Sequence, residues 1–325
     1  RFNRYNELAD GQKGPTITKY FNKGDILLST RSVALRKAAI SPIDGVTGEK
    51  LLVLRVRNNS ELIKNLLPFV FHSSDFWEYA QNSASGSVNK FTSWTKLREY
   101  EFLLPPKDQQ AKLAEMLWAM DKVIEKDNAV LDNLKSASQI VFANEVNNAK
   151  GKLIPLSEVL ILKKGKSNAP HQKKKYIGLE HIESGAFNCS SFDESKDILA
   201  QCNIVDPGDL CYSKLRPYLD KAFIADFGAV STTELLIYDT KVLSKEYVLF
   251  HLHSKPFIHY VTSKGFGTKM PRVSHKILSE YQIKQLEDEN KVLSILKNFE
   301  DTITSLRFKI ASSKALQRSL INQMF

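Results

Sequence analysis

The residues best suited to bind a polyanion lie in a short glycine-containing segment late in the chain. Gly267, Thr268, Lys269 and Arg272 stand close together there, and Gly265 precedes them. Glycines let the backbone approach a partner closely. Lysine and arginine supply charge for phosphates and, in the case of arginine, a fork of donors for guanine. The segment predicts contact with nucleic acid, although each side chain alone could simply be solvated.

Two further groups have the same chemistry. A second loop offers Ser213, Lys214, Arg216 and Tyr218, and a basic run suited to phosphate neutralisation contains Lys163, Lys164, Lys166, Lys173, Lys174 and Lys175. Comparable places in the first half hold Arg31, Arg36, Lys37, Ser87, Asn89 and Lys90. Charge runs are usually exposed loops, so the lysine run has that alternative interpretation.

The sequence shows no catalytic machinery. It contains no Asn-Pro-Pro-aromatic motif, no glycine-rich cofactor loop after a first strand and no G-x-x-x-x-G-K-[ST] phosphate cradle. Asp209 and Glu234 could be imagined as a nuclease acid pair, but turn or structural roles fit them better. His251 and His253, with His259, form a metal-like group, yet residues two apart on a helix face different sides. We expect no catalytic residue, metal site or cofactor in this chain.

Composition favours a two-domain globular protein with an anionic partner. The chain has 325 residues, 42% hydrophobic and 25% charged, and carries a net charge of +10. Nucleic acid is the commonest polyanionic partner of such a basic chain. The three cysteines, Cys189, Cys202 and Cys211, lack C-x-x-C spacing, which favours a reducing cytoplasm over a disulfide framework. No apolar run approaches the ~18 residues of a membrane span.

An internal repeat organises the sequence. The segment 23–29 (KGDILLS) returns at 207–213 (PGDLCYS), and 45–52 (GVTGEKLL) resembles 228–236 (GAVSTTELL). Phe71-His72-Ser73 resembles His253-Ser254. Two further segments, 85–87 and 97–100, resemble 266–268 and 278–281 in the same order. The offset drifts only from 184 to about 180. Such landmarks in one order predict two copies of one unit.

Each copy ends in a long stretch with apolar residues in alternating steps of four and three. The first contains Leu113, Leu117, Met120, Ile124, Asp127, Leu131, Leu134, Ser138 and Val141. The second contains Val292, Leu296, Phe299, Ile303, Leu306, Ile310, Ser313, Gln317 and Leu320. This spacing is typical of a coiled-coil seam. Two unrelated helices, each packed on its own domain, remain the alternative.

The globular parts read as mixed α and β structure. Short β-rich runs lie at 175–179, 210–212, 221–225 and 234–238, and a helical piece lies at 245–252. Pro105-Pro106 is a start signal for the first long helix, and the polar segment 147–152 predicts a linker. We expect an α+β fold with two pseudo-repeated recognition domains, at 1–104 and 148–285. Two helices, at 105–147 and 286–325, would form the long antiparallel coiled coil that separates them.

These residues resemble the specificity subunits of Type I restriction-modification systems. The second half carries the stronger likeness, through 176–185 (YIGLEHIESG), 207–218 (PGDLCYSKLRPY), 231–235 (STTEL) and 267–273 (GTKMPRV). The resemblance implies two target-recognition domains, each reading one half of a split DNA site, with helices that set the spacing. It also implies double-stranded DNA, two modification (methyltransferase) subunits and restriction subunits as partners. S-adenosylmethionine, ATP and Mg would then bind only partner subunits.

The two copies differ at their starts and in one loop. The second has 56 residues between Gly151 and Gly208, whereas 23 precede Gly24, so we expect about 30 further residues before Arg1. The first copy has STRSV at 29–33 where the second has SKLRP at 213–217. Different half-sites would require such divergence. A coiled-coil scaffold that binds an acidic protein is the competing interpretation of the whole chain.

Overall fold

The computed structural model describes residues 17–58, 60–87 and 89–325. Within these ranges the chain divides into two compact units. Unit 1 comprises the described residues up to Val130 together with Leu306–Phe325, and unit 2 comprises Leu131–Ser305. The first 16 residues of the expected first domain lie outside the described residues.

Sixteen strands are found in the described part of the chain, most of them short. Unit 1 contains β1 (Ile17–Phe21), β2 (Ile26–Ser29), β3 (Ala38–Ile40), β4 (Gly45–Gly48) and β5 (Leu51–Leu54). Unit 2 contains β6 (Gly151–Pro155), β7 (Leu160–Lys163), β8 (Lys166–Ser167), β9 (Lys175–Ile177), β10 (Asp193–Glu194), β11 (Cys202–Val205), β12 (Leu210–Ser213), β13 (Ala222–Ile224), β14 (Ala229–Ser231), β15 (Leu235–Thr240) and β16 (Gln282–Leu286).

Eight α-helices accompany the strands of the described residues. They are α1 (Leu67–Val70), α2 (Ser74–Asn82), α3 (Trp94–Leu97), α4 (Lys107–Asn148), α5 (Lys245–Leu252), α6 (Lys255–Lys264), α7 (His275–Glu280) and α8 (Asn290–Met324). The predicted helix at 245–252 is therefore confirmed, as are the four predicted strands to within one or two residues. The expected linker at 147–152 is shorter in the structure, because α4 continues to Asn148 and β6 begins at Gly151.

The sheets show that the repeat found in the sequence is also a repeat of the structure. In unit 1, β2 lies between β3 and β5, and Ile26 is opposite both Ile40 and Leu54. In unit 2, β12 lies between β13 and β15, and Leu210 is opposite Ile224 and Tyr238. The equivalent residues stand 184 positions apart in the sequence, so the strand registers of the two units are the same.

Unit 2 has further strands around this common element. Its four-stranded sheet has the order β13-β12-β15-β7, and a five-stranded sheet has the order β10-β9-β14-β11-β8. Strand β6 pairs with β16 in a separate antiparallel ribbon. The side chains of β12 are buried along its whole length, since it is central in its sheet and covered by helices α5 and α6.

Serine caps begin the equivalent helices of both units. Ser73 accepts a hydrogen bond from the backbone N–H of Phe76 at the start of α2, and Ser254 accepts one from Phe257 at the start of α6. Each cap satisfies an N–H group that the first turn of a helix leaves without a partner. The motif that repeats in the sequence as His-Ser is thus a helix start in both copies.

The two long helices bury the expected seam. On α4, Leu117, Ile124 and Leu131 are buried, as are Ile303 and Ile310 on α8. Ser138 is buried at a seam position as well. This burial follows the alternating steps of four and three and confirms the two helices that the sequence predicted.

The end of α8 packs on the first copy of the repeat, although it is distant in sequence. Ile321 and Phe325 lie in one hydrophobic cluster with Leu66, Phe69 and Leu117 of unit 1. Within this unit, Leu117 of α4 accepts a hydrogen bond from Gln317, whereas Asp127 pairs with Lys309. The pairing is therefore antiparallel, and the alternative in which each helix packs only on its own domain is wrong.

No helix within the described ranges combines the length and apolar character needed to cross a membrane.

Candidate nucleic-acid interface

A short hairpin in unit 2 carries the glycine-containing segment singled out above. Phe266 and Arg272 exchange two backbone hydrogen bonds of 2.9 Å each, and the chain turns between them at Gly267. Gly267 has a φ of +98°, which favours glycine at this position. Val273 N–H donates to the carbonyl of Lys214 at 2.9 Å, so the hairpin lies beside the second predicted loop.

Unit 1 builds the same hairpin from different residues. Ser85 and Phe91 exchange two backbone hydrogen bonds of 2.9 Å, and Gly86 turns with a φ of +95°. Thr92 N–H donates to the carbonyl of Thr30 at 2.8 Å, as Val273 does to Lys214 in unit 2. We call residues 85–87 with 89–91, and residues 266–272, the recognition hairpins of units 1 and 2.

A tight turn with two left-handed residues follows the central strand in each unit. In unit 2, Arg216 and Asp220 both have a φ of 50° and flank a 3-10 turn at Pro217–Leu219. In unit 1, Ser32 and Arg36 have φ values of 53° and 47° around the turn Val33–Leu35. Non-glycine residues adopt this conformation rarely. Its presence at matching places shows that both loops share one backbone conformation.

The guanidinium of Arg272 is held by a carboxylate. Its Nε lies 3.3 and 3.2 Å from the two carboxylate oxygens of Glu234, and its Nη2 lies 3.0 Å from one of them. The pair is partly exposed, at 38% for the Arg272 side chain and 23% for Glu234. Glu234 therefore has a structural contact, as the sequence favoured.

In unit 1, residues with different side chains stand at the positions of Glu234 and Arg272. Lys214 N–H donates to the carbonyl of Glu234 at 3.0 Å, and at the equivalent place Thr30 N–H donates to the carbonyl of Lys50 at 2.9 Å. Lys50 thus stands where unit 2 has Glu234, and Phe91 stands where unit 2 has Arg272. Neither Lys50 nor Phe91 was among the predicted contact residues, although offsets of 184 and 181 positions align them with Glu234 and Arg272.

Most of the predicted contact residues near the two hairpins are accessible. In unit 2, Gly267, Thr268, Lys269 and Tyr218 are exposed and Lys214 and Arg216 are partly exposed. In unit 1, Arg31, Arg36, Lys37, Ser87, Asn89 and Lys90 are exposed. Their contact with DNA stays a prediction.

Ser213 differs from this expectation. Its side chain is buried because it belongs to the central strand β12, and its hydroxyl donates to the carbonyl of Leu215 at 3.1 Å. Ser29 does the same in unit 1, donating to the carbonyl of Arg31. The hydroxyl therefore stabilises the loop.

The lysines of the basic run lie on other elements, and most of them contact groups of the protein itself. Lys163 contacts Asp206 and Asp209, and Lys173 contacts Asp206 at 2.6 Å. Hydrogen bonds from Lys163 and then Lys173 lower the pKa of Asp206 to about 2. These lysines therefore neutralise the protein's own carboxylates, and no contact links them to the unit 2 hairpin in the described structure.

The rest of the run has mixed surroundings. Lys175 lies over the rings of Phe192 and Phe227, with its Nζ 4.3 and 4.1 Å from their centroids. Such cation–π contacts occupy the ammonium group. Lys174 is exposed beside it, and Lys166 bonds to Asn203. Lys174 is the member of the run from 173 to 175 whose side chain is most accessible to a phosphate.

The histidines do not assemble into the metal-like cluster considered above. His251 is buried between Phe142 and Tyr247. His253 directs its two ring nitrogens at Asp220 and at the carbonyl of Ala186. His259 is exposed on α6.

A different group, formed by Glu180, His181 and Asp193, brings its potential ligand atoms within 4.8 Å of one another. The backbone N–H of Gly178 donates to His181 Nδ1 at 2.9 Å. This bond places the ring proton of the neutral imidazole on Nε2, which faces Asp193 at 3.5 Å. A protonated nitrogen cannot ligate a metal, so the group fits an ordinary contact between a histidine and a carboxylate better than a metal site.

Two recognition hairpins on repeated α+β units, with two long helices, define a class of DNA-recognition protein. Residues 3–136 match the family model of the Type I restriction modification DNA specificity domain. The resemblance inferred from the sequence is confirmed. The family model matches the first half, whereas the sequence motifs had favoured the second half.

Similar proteins extend the likeness over nearly the whole chain. The chain is 21% identical to the specificity subunit of the Type I restriction enzyme MjaIX from Methanocaldococcus jannaschii, over 91% of this chain and 74% of that protein. A chain from a type I R-M system studied for complex assembly and conformational transition covers 98% of this chain and 85% of its own length, with 15% identity and a TM-score of 0.52.

A further solved structure has a similar fold. The S subunit of a Type I restriction-modification system from M. genitalium covers 94% of this chain and 84% of its own length, with 13% identity and a TM-score of 0.52. At these identities the structural likeness shows the fold alone. It confirms the expected fold class.

Proposed function

We propose that this chain is the DNA specificity subunit of a Type I restriction-modification complex. Each unit reads one half of a bipartite double-stranded DNA site. The observation that carries this function is the pair of recognition hairpins, which have the same backbone hydrogen bonds and different side chains. One scaffold with two sets of side chains is what the reading of two different half-sites requires.

The net charge of +10 supports the same function. Phosphate contacts supply affinity that is independent of sequence, and base-edge contacts supply the specificity. Exposed cations such as Lys269, Lys90 and Arg31 lie on or beside the hairpins. A scaffold that binds an acidic protein would need positive charge too, but it would not need two matching hairpins with glycine at the turn.

We also propose that catalysis belongs to the partners. Two methyltransferase subunits would dock on the helices, with restriction subunits added in the full complex. S-adenosylmethionine, ATP and Mg would bind those subunits, since this sequence lacks the corresponding motifs. We place the complex in the cytoplasm of a prokaryote, where the three buried cysteines stay reduced.

Selection from a pool of random duplexes tests the function. The full chain is immobilised, bound duplexes are recovered over several rounds, and the enriched sequences are aligned. We expect two short conserved blocks separated by a gap of fixed length in which all bases occur. Recovery of duplexes without any sequence preference would overturn the proposal in favour of the scaffold interpretation.

A further inference from the structure

We propose that Glu234 positions Arg272 so that the free edge of its guanidinium reads a guanine in the half-site of unit 2. Unit 1 reads its own half-site without such a pair at the matching position. The inference rests on the proposed function and deepens it, because it assigns one base and one positioning residue.

The geometry of the guanidinium carries the inference. Glu234 occupies the side edge of the group, formed by Nε and Nη2. The end edge, formed by Nη1 and the second hydrogen of Nη2, has one long contact, from Nη1 to the carbonyl of Met270 at 3.5 Å. Two parallel donors on an end edge match O6 and N7 of guanine, the base that arginine most often reads in the major groove.

The backbone fixes the carboxylate relative to the hairpin. Lys214 N–H donates to the carbonyl of Glu234, and the carbonyl of Lys214 accepts from Val273 N–H. One residue therefore joins the turn that carries Glu234 to the end of the hairpin that carries Arg272. An arginine held in this way loses less conformational entropy on binding than a free one.

Arg216 ties the loop after β12 to the hairpin. The Nε of Arg216 is buried and has no hydrogen-bond partner among the described residues. The backbone of the same residue donates to the carbonyl of Pro271 at 2.7 Å, which places it against the hairpin. A buried donor left unsatisfied costs free energy unless a ligand or water completes it.

Unit 1 provides the natural contrast. Lys50 stands at the position of Glu234 and Phe91 at that of Arg272, and Phe91 is 50% exposed. Neither a carboxylate nor a fork of donors is present at these two positions. A phenylalanine can contact a thymine methyl group but cannot bond to the acceptors of guanine. The guanine contact assigned to Arg272 should therefore have no counterpart at the matching position of unit 1.

The test begins with the sequence selected from random duplexes by the full chain. Selection is repeated with Arg272→Lys, which keeps the charge but loses the fork, and with Glu234→Gln, which keeps the size but loses the carboxylate. Lys50→Gln is the matched control in unit 1. We expect Arg272→Lys to lower the preference for one guanine about tenfold and Glu234→Gln to lower it about threefold or more.

A chemical substitution in the DNA avoids any effect of mutation on folding. In the selected duplex, 7-deazaguanine replaces the assigned guanine and removes its N7 acceptor. Affinity of the wild-type chain should fall about tenfold, and affinity of Arg272→Lys, compared with its own binding to the unmodified duplex, should change little. The thermal unfolding midpoint of Glu234→Gln and the preferences in the other half-site should stay as in the wild type.

The outcomes separate this inference from the proposed function. Enrichment of a bipartite site without a guanine that responds to Arg272→Lys overturns the inference and leaves the function standing. A guanine that responds to Arg272→Lys and not to Glu234→Gln overturns the positioning role. Loss of preferences in both half-sites by Glu234→Gln shows general damage and also overturns it. The absence of any enriched sequence overturns both proposals.

Discussion

Lys163 donates hydrogen bonds to both carboxylate oxygens of Asp209, at 2.9 and 2.8 Å. The Asp209 side chain is only 5% exposed, whereas that of Lys163 is 32% exposed. In unit 1 the equivalent aspartate, Asp25, is likewise buried and receives hydrogen bonds from both Nε and Nη2 of Arg55. Each unit thus closes the turn before its central strand with a buried aspartate and a cation, but Lys163 lies in β7 whereas Arg55 directly follows β5.

Lys163→Met should destabilise unit 2. The change keeps the length of the side chain and leaves the Asp209 carboxylate buried without its cation, which is costly in a site of low exposure. We expect the free energy of unfolding to fall by about 1–3 kcal/mol, the lower part of this range reflecting the exposure of Lys163. Denaturant unfolding followed by circular dichroism measures it.

Lys164→Met is the matched control, because Lys164 is the exposed neighbour on the same segment. It should change the free energy of unfolding by less than about 0.5 kcal/mol. Equal effects of the two substitutions would show that the ion pair with Asp209 does not stabilise the unit.

His251 should make stability depend on pH. Its ring packs edge-on against Phe142 and Tyr247, with centroids 4.8 Å apart in both cases, and burial lowers its pKa from 6.5 to about 3. Between pH about 6.5 and about 3, His251 is protonated in the unfolded chain and neutral in the folded chain. The free energy of unfolding therefore falls as pH decreases through this range. The slope contributed by this residue is about 1.4 kcal/mol per pH unit.

His251→Leu removes this titration. Its unfolding free energy, measured by denaturant at a series of pH values, should lose less on acidification than that of the wild type. At pH 7 it should match or exceed the wild type, since His251 Nε2 is buried without a partner in the described structure. His259→Leu, at an exposed position, serves as control. A wild-type pH profile retained by His251→Leu would contradict the prediction.

Lengthening both helices should change the spacing of the target. One heptad inserted between Val130 and Leu131, and another between Ser305 and Leu306, keeps both seams in register and adds about 10 Å. The gap in the selected DNA site should grow by about three base pairs at about 3.4 Å each. The second half-site is then rotated by about 100°, so affinity should fall unless DNA or protein twists to compensate.

A single residue inserted in one helix supplies the comparison. It shifts every later side chain of the seam by about 100° around the helix axis and should abolish recognition. A folded heptad variant that selects sites with the original gap would show that the helices do not set the spacing.

The isolated chain should transfer no methyl group to DNA and hydrolyse no ATP. The reason is the absence of the corresponding motifs from the sequence. Methylation of the selected site, measured by transfer of labelled methyl groups, should appear when the modification subunit is added. Cofactor-dependent transfer by the purified chain alone would contradict the assignment of catalysis to the partners.

The regular elements were predictable because their signals are local. Alternating steps of four and three placed the long helices within a few residues, since every seam residue reports the same helical period. The helix at 245–252 and the strand at 210–213 were predicted nearly to the residue. The repeat required no structure, because the offset between the two copies is almost constant along the sequence.

The candidate site was predictable as a region and not as a set of interactions. The glycine-containing segment and the loop after Ser213 do lie together, through the bond from Val273 to Lys214. The burial of Ser213 was missed because a serine at the end of a strand gives no sign of which neighbours cover it. The sequence alone does not distinguish the accessible lysines of the basic run from those that form ion pairs with Asp206 and Asp209.

The sequence by itself determined that this protein is a repeat of two recognition units with two long helices, because periodicity and self-similarity are properties of the chain. Tertiary structure alone decided that Glu234 holds Arg272, and that Lys50 and Phe91 take their places in unit 1. Residues 38 positions apart meet only when β15 and the hairpin are joined across Lys214. Which ions pair depends on that strand register, and the register is fixed by burial of the whole sheet rather than by any local signal.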